Sequence, residues 1–285
     1  MSVLVFGRTG QVATELARRA PDAVFLGRDA ADLTDPAACA SAIRAHAPRA
    51  VINAAAYTAV DRAEEDQATA MRVNAEAPAA MAQACADIGI PLVHISTDYV
   101  FDGTGTEPRQ PGDPVAPVNT YGRSKLAGED AIVQASGTYA ILRTSWVVSA
   151  HGANFVRTML RLSETRDALN IVDDQIGGPT CAADIAAACL VIADQLIADP
   201  GKSGVYHFAG APDVSWKDFA TAIFAAAERD VAVTGIPTSD YPTPAQRPLN
   251  SRLDCSATEA TFGIARPDWR AGLHEILTEL KENSA

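Results

Sequence analysis

In the first half of the chain, short apolar runs alternate with longer stretches whose apolar positions recur every three to four residues. The short runs, residues 2–6, 24–26, 50–54, 91–96 and 139–143, read as strands. Helical patterning covers residues 11 to about 20, 36–46, 66–87 and 119–135 between them. Strand and helix thus alternate at the spacing that right-handed crossovers of a parallel sheet require.

After Trp146 the rhythm loosens. Helices are expected at 153–165 and 180–197, separated by Leu169-Asn170-Ile171-Val172 and a loop containing glycine and proline. Residues 204–208 read as a strand. Ser215 is placed to cap a helix running to about Arg229, since its hydroxyl can accept from free first-turn amides. The segment 237–248 holds four prolines and is expected to be a loop. The fold class expected is α/β: a Rossmann-type doubly wound parallel sheet mainly over residues 1–150, with a smaller mixed α/β substrate lobe mainly over 151–285. The two are expected to exchange segments.

Composition narrows the function classes. With 285 residues, 48% hydrophobic and 20% charged, the chain suits a globular protein with a substantial core. A formal net charge of -12 lacks the positive excess that nucleic-acid backbones attract, so no nucleic-acid partner is expected. The start enters a strand without a basic leader, and the longest apolar stretch, Cys181–Leu196, is broken by Asp184 and Asp194. Neither a secretory signal nor a membrane span is expected, and the cytoplasm is the expected location. Five widely spaced cysteines, at 39, 85, 181, 189 and 255, fit reduced thiols, and five scattered histidines do not suggest a zinc site.

Gly7-x-x-Gly10-x-x-Ala13 lies between the first strand and the first helix. The first glycine permits a tight turn and the second lets backbone amides approach a pyrophosphate. The small Ala13 allows close helix–strand packing. Gly7, Thr9, Gly10, Gln11 and Val12 are therefore expected at a dinucleotide. Arg28, after the second strand, would meet the 2′-phosphate of NADPH, but the adjacent Asp29 leaves NADH open. Asp32 and Leu33 are expected near the adenine, and Ala54, Ala55 and Ala56 leave room for the cofactor beyond the third strand.

The chemistry is carried by two further segments. Ser96-Thr97-Asp98-Tyr99 follows a strand at the carboxyl end where open α/β sheets bind ligands. Tyr121 and Lys125, four apart on the next helix, share a face. A tyrosine can hand a proton to a developing alkoxide, but its pKa of about 10 makes the phenolate scarce, and a nearby ammonium lowers it. Lys125 would also hold the nicotinamide ribose, and the Thr97 hydroxyl would bond the carbonyl oxygen as charge develops. Asp98, Tyr99 and Phe101 are candidates for the substrate wall, as is Trp146. Trp216 and Trp269 are accounted for by packing. The residues alone indicate reduction of a ketone, or its reverse.

Longer stretches narrow this further. Asn53-Ala54-Ala55-Ala56-Tyr57-Thr58-Ala59-Val60-Asp61, Ser96 through Gly103 (STDYVFDG), Tyr121 through Glu129 (YGRSKLAGE) and Arg143-Thr144-Ser145-Trp146-Val147 are joined by Gly152-x-Asn154-Phe155-Val156, Asp174-Gln175-x-Gly177-x-Pro179-Thr180 and Arg247-Pro248. Together they make the chain resemble the dTDP-4-dehydrorhamnose reductase family of the extended short-chain dehydrogenases/reductases over nearly its whole length. The resemblance implies NAD(P)H-dependent reduction of the C4 ketone of dTDP-4-dehydro-L-rhamnose, with Tyr121 as acid, Lys125 on the ribose and Thr97 orienting the carbonyl. It implies that Trp146, Asn154, Phe155 and Gln175 line the sugar–nucleotide pocket and that Arg247 meets the substrate pyrophosphate.

Two departures from the family pattern stand out: Ala13 at a position often glycine, and Ala182, Ala183, Ala186 and Ala187 on the helix around 181–193, where some relatives place a glutamate that shares a Mg²⁺ with the counterpart of Glu15. No structural metal is therefore expected, and a monomer or weak homodimer is. A nucleotide-sugar epimerase or dehydratase remains an alternative, although a dehydratase would carry Asp-Glu after the threonine, where this chain has Asp98-Tyr99. A noncatalytic regulatory subunit of the same fold is the third reading.

Overall fold

The computed structural model describes residues 2–283. In its first half the chain runs β1 (Val3–Phe6), α1 (Gln11–Arg19), β2 (Val24–Leu26), α2 (Pro36–His46) and β3 (Ala50–Asn53). It continues through α3 (Val60–Ala63), α4 (Gln67–Met71), α5 (Ala77–Ile88), β4 (Leu92–Thr97), α6 (Thr120–Gln134) and β5 (Tyr139–Thr144). The stretch 66–87 is not one regular helix, because a π-helical turn, Arg72–Glu76, joins α4 to α5. There Gly128 of α6 packs so closely that a Cβ would lie 2.1 Å from the Asn74 carbonyl oxygen.

The second half contributes β6 (Val147–Val148), α7 (Phe155–Leu162), β7 (Ala168–Val172), β8 (Ile176–Gly177), β9 (Thr180–Cys181) and α8 (Ala182–Ala198). Then come β10 (Gly204–His207), β11 (Val214–Ser215), α9 (Trp216–Ala226), β12 (Ala232–Ile236) and β13 (Asn250–Ser251), closed by α10 (Ser256–Phe262) and α11 (Trp269–Glu282). The expected cap on α9 is present, with Ser215 Oγ accepting from Asp218 N at 3.0 Å.

Six strands form one parallel sheet in the order β10-β5-β4-β3-β1-β2. Successive strand residues face opposite sides. Thus Val3, Val5, Ile52, Val93 and Leu142 join α1 and α8 in one core, while Leu4, Phe6, Val51, Leu92 and Ile141 join α2 and α5 in the other. The expected doubly wound α/β sheet is present. α8 and β10, both beyond residue 150, cover α1 and pair with β5, so the chain leaves the central sheet and returns to it. Between departures it builds three small sheets: β6-β9, β7-β12 and β11-β8-β13. These pack with α7, α9 and α11 around Phe219, Ile223, Trp269 and Leu273. All five cysteines are buried and free.

Strand order reverses between β1 and β3, which places a crevice at their carboxyl ends. The turns that open there are those carrying Gly7 and Ala54. Gly7 has φ +116°, and a Cβ on it would meet the Ala54 carbonyl and the Ala13 methyl at 3.3 Å. An L side chain is strained in that conformation, so glycine is required on two grounds.

Candidate active site

The crevice widens into a cleft of about 1170 Å³. Its floor is the Gly7–Gln11 turn and the start of α1, where no side chain caps the free amides. By contrast, Asp35, Asn119, Asn154 and Ser215 cap α2, α6, α7 and α9. An uncapped helix start beside a positive-φ glycine is an anion cradle. Gly7, Thr9, Gly10, Gln11, Val12, Arg28, Asp32, Leu33, Ala54, Ala55 and Ala56 all line the cleft. Arg8, which the glycine spacing passes over as a variable position, lines it too. The Arg28 side chain is 86% exposed and 4.0 Å from Asp32, so its guanidinium stands largely free at the rim.

Deeper in the cleft stand Thr97, Asp98, Tyr99, Tyr121 and Lys125. Thr97 ends β4, and its hydroxyl accepts from Tyr99 N at 3.2 Å while donating to Asp98 Oδ1 at 3.1 Å. Tyr121 begins α6, which Asn119 caps by accepting from Gly122 N at 2.8 Å. The Tyr99 ring meets Tyr121 edge-on at 5.4 Å. Burial pushes the Tyr121 phenol up to about 12, opposed by its hydrogen bond with Thr97. Lys125 is 1% exposed, and burial pulls its ammonium down to about 8, against the charge of Glu129. Burial thus moves the two groups apart in proton affinity: the phenol holds its proton more firmly, as a general acid must before the alkoxide develops, and the ammonium yields its own more readily. Burial also lifts Asp98 to about 6, and its Oδ2 is buried without a hydrogen-bond partner.

The outer wall is aromatic. Trp146 adopts φ +48°, a conformation that costs a non-glycine residue about 1–3 kcal/mol. It stacks on Trp216 with ring centroids 3.5 Å apart and planes 10° apart. Trp216 therefore belongs to the cleft wall, not only to helix packing as its sequence context suggests. Gln175 Oε1 accepts from Trp216 Nε1 at 3.1 Å, and Phe155 packs behind the indole at 4.5 Å.

Five residues expected at the substrate stand elsewhere. Phe155 and Gln175 lie outside the cleft lining, behind Trp216. Asn154 caps α7 and donates to Gln11 Oε1 at 3.0 Å, so its amide is committed between the lobe and the Gly-turn. Phe101 is buried in a core cluster with Leu253, beneath the Arg143 guanidinium at 5.1 Å. Arg247 bonds Asp61 at 2.6 Å, and its charge is felt by Tyr99, but it does not line the cleft.

Glu15, for which no metal role is expected, is buried on α1 and meets two residues its sequence spacing does not connect it with. His151 Nε2 lies 3.1 Å from Glu15 and 3.5 Å from Glu279. Ligand atoms of the three fall within 4.8 Å of one another. Both carboxylates already have cationic partners, however. Arg19 bonds Glu15 at 2.6 Å, and Arg18 grips both oxygens of Glu279 at 2.9 and 2.6 Å. A divalent ion would have to displace these arginines, so the residues present do not fit a resident metal.

Comparison with known proteins gives one consistent picture. A family model described as the RmlD substrate binding domain matches residues 1–282. A dTDP-4-dehydrorhamnose reductase from Burkholderia thailandensis is 47% identical over 285 residues, covering 95% of this chain and 96% of its own length. The structure of a dTDP-4-dehydrorhamnose reductase from Clostridium acetobutylicum superposes with a TM-score of 0.91 at 36% identity, covering 99% of this chain and 100% of that one. That of a Bacillus anthracis dTDP-4-dehydrorhamnose reductase in complex with NADP gives 0.90 at 34% identity, covering 98% of this chain and 100% of that one.

Proposed function

Because the chain belongs to the dTDP-4-dehydrorhamnose reductase family, we propose that its cleft reduces the C4 ketone of dTDP-4-dehydro-L-rhamnose to the alcohol, with Tyr121, Lys125 and Thr97 as the reacting set. The observation that carries this reading is the meeting of those three side chains in one cleft with the Gly7–Gln11 turn. The protein is an NAD(P)H-dependent oxidoreductase, and the bound dinucleotide supplies the hydride.

The chain's own residues supply the rest. The amides at the start of α1 receive the pyrophosphate, and Lys125 meets the nicotinamide ribose. Thr97 turns its single hydroxyl proton from Asp98 to the ketone oxygen, and Tyr121 gives its proton to that oxygen as it becomes an alkoxide. Asp98, which lines the cleft beside Thr97, is the carboxylate that would accept from a sugar hydroxyl. Trp146 and Trp216 form an apolar wall for the sugar face. Arg8 and Arg28 at the adenosine end favour the 2′-phosphate of NADPH over the bare ribose of NADH.

The direct test follows cofactor absorbance with NADPH and NADH separately, in the presence of dTDP-4-dehydro-L-rhamnose. Oxidation matched by dTDP-L-rhamnose, faster with NADPH, is the expected result. Product formed without net cofactor oxidation would instead identify an epimerase or dehydratase, and folded protein that binds nucleotide but oxidises neither cofactor would point to a regulatory subunit.

Among the described residues no helix is long and apolar enough to cross a membrane, and a cytoplasmic location is part of this proposal. So is a monomer or weak dimer that does not depend on a divalent ion, since arginines already neutralise Glu15 and Glu279. Sedimentation velocity should be the same with and without EDTA. Dissociation on adding EDTA would overturn that part of the proposal.

A further inference from the structure

Behind the cleft, Lys125 Nζ lies 2.7 Å from the Ile95 carbonyl and 3.0 Å from Nε2 of His94. His94 is wholly enclosed within β4. Its other ring nitrogen, Nδ1, is 3.1 Å from Nδ2 of Asn53 at the end of β3. Ala55 N donates to Asn53 Oδ1 at 3.2 Å, which turns the amide's NH₂ toward the imidazole.

A neutral imidazole carries one proton. With Asn53 donating to Nδ1, that proton sits on Nε2 and points at Lys125. An ammonium has no lone pair to accept it, whereas an amine has one and still donates to Ile95. The four contacts are satisfied together only when Lys125 is uncharged. Resting on the assignment of Tyr121 and Lys125 as the reacting pair, we propose that His94 and Asn53 are positioning residues that hold Lys125 in its amine form and so weaken its grip on a proton.

Of the other charged or titratable groups, Glu129 on α6 acts on the lysine, Tyr121 and Asp98 line the same cleft, and Arg143 on β5 reaches it through Glu129. Glu129 is already bonded by Arg143 and Ser96. Burial acts in the same direction as the proposed pair, and it also keeps His94 itself neutral, well below the ordinary histidine range. Turnover that needs the ammonium, beside the tyrosine and the ribose, is lost as pH rises through the lysine's pKa.

The test is the alkaline limb of kcat/KM against pH, compared with Asn53→Asp. A carboxylate accepts from Nδ1–H, leaves Nε2 as an acceptor for the ammonium, and should move the limb upward by about one pH unit or more. His94→Gln should also move it upward, and adding Asn53→Asp to that variant should move it no further. A purely structural role would lower stability or kcat with the limb unmoved.

Nitrogen-15 NMR of the unaltered enzyme gives an independent reading. The His94 signal, identified by its loss in His94→Gln, should report hydrogen on Nε2 at pH above the limb. Hydrogen on Nδ1 there, or an unmoved limb in Asn53→Asp enzyme that still binds NADPH, would overturn the proposal. If Asn53→Asp fails to fold, the NMR result decides. If Lys125→Met keeps both rate and limb, it is the assignment of the reacting pair that fails, and the tautomer measurement still judges His94 and Asn53.

Discussion

Tyr121→Phe should lower turnover by about two to four powers of ten, because it deletes proton delivery to the alkoxide. NADPH affinity should stay close to that of the unaltered enzyme, since the cradle for the dinucleotide is built from the Gly7–Gln11 turn and the start of α1. The ring itself keeps its edge contact with Tyr99, so the change is chemical and not architectural. Stopped-flow measurement of hydride transfer, beside a fluorescence titration with NADPH, separates the two. Near-normal turnover would remove Tyr121 from the role of acid. A lost rate with equally lost affinity would mean that the ring also shapes the cofactor site.

The largest expected effect on stability lies one helical turn beyond Lys125. Glu129 and Arg143 are both buried, with side chains 3% and 5% exposed, and the guanidinium meets the carboxylate at 3.0, 3.1 and 2.6 Å. Ser96 Oγ donates to the same carboxylate, and Arg143 also donates to the Pro111 carbonyl at 3.2 Å. Glu129→Ala would strand a guanidinium in the interior, which costs about 3–5 kcal/mol. Thermal unfolding should therefore begin roughly 10 °C lower, given about 2–4 °C per kcal/mol for chains of this size. Glu129→Gln keeps the shape and an acceptor for Ser96, so it should cost less. It also withdraws a negative charge that favours the Lys125 ammonium, and should shift the alkaline limb of the rate downward, opposite in sign to Asn53→Asp. A change in Tm below about 2 °C for Glu129→Ala would show that Arg143 finds water or another partner.

How far the sequence could be read depends on the range of the interaction. The elements of the central sheet were legible because each carries its own local pattern: an apolar run, a period near 3.6, a cap such as Ser215. The glycine turn and the Tyr121/Lys125 pair were legible for the same reason, since their geometry is set within one turn of backbone. The Arg72–Glu76 π-turn was hidden because the apolar pattern runs through it without a break. Nothing local to Trp216 tells that a loop 70 residues earlier brings Trp146 against its face. Arg8 stood in a variable position of the turn, and His94 lay inside an apolar strand. The contacts among Glu15, His151 and Glu279 join three distant segments. Conversely, Asn154, Phe155 and Gln175 fall near the pocket in sequence pattern, but their side chains are used in supporting it.

The path of the chain bears on how such an enzyme can be altered. Because α8 and β10 return to cover α1 and extend β5, a cut after residue 150 would leave an apolar helix face bare and a strand edge unpaired. The carboxyl-terminal half is thus no detachable module that fusion could exchange for another. Grafts meant to change the sugar accepted would have to be internal, replacing the excursions 147–181 and 208–255 together with the α11 face that packs on them, while leaving α8 and β10 untouched. Segments far apart in sequence would have to change as one unit, because they share a single small core.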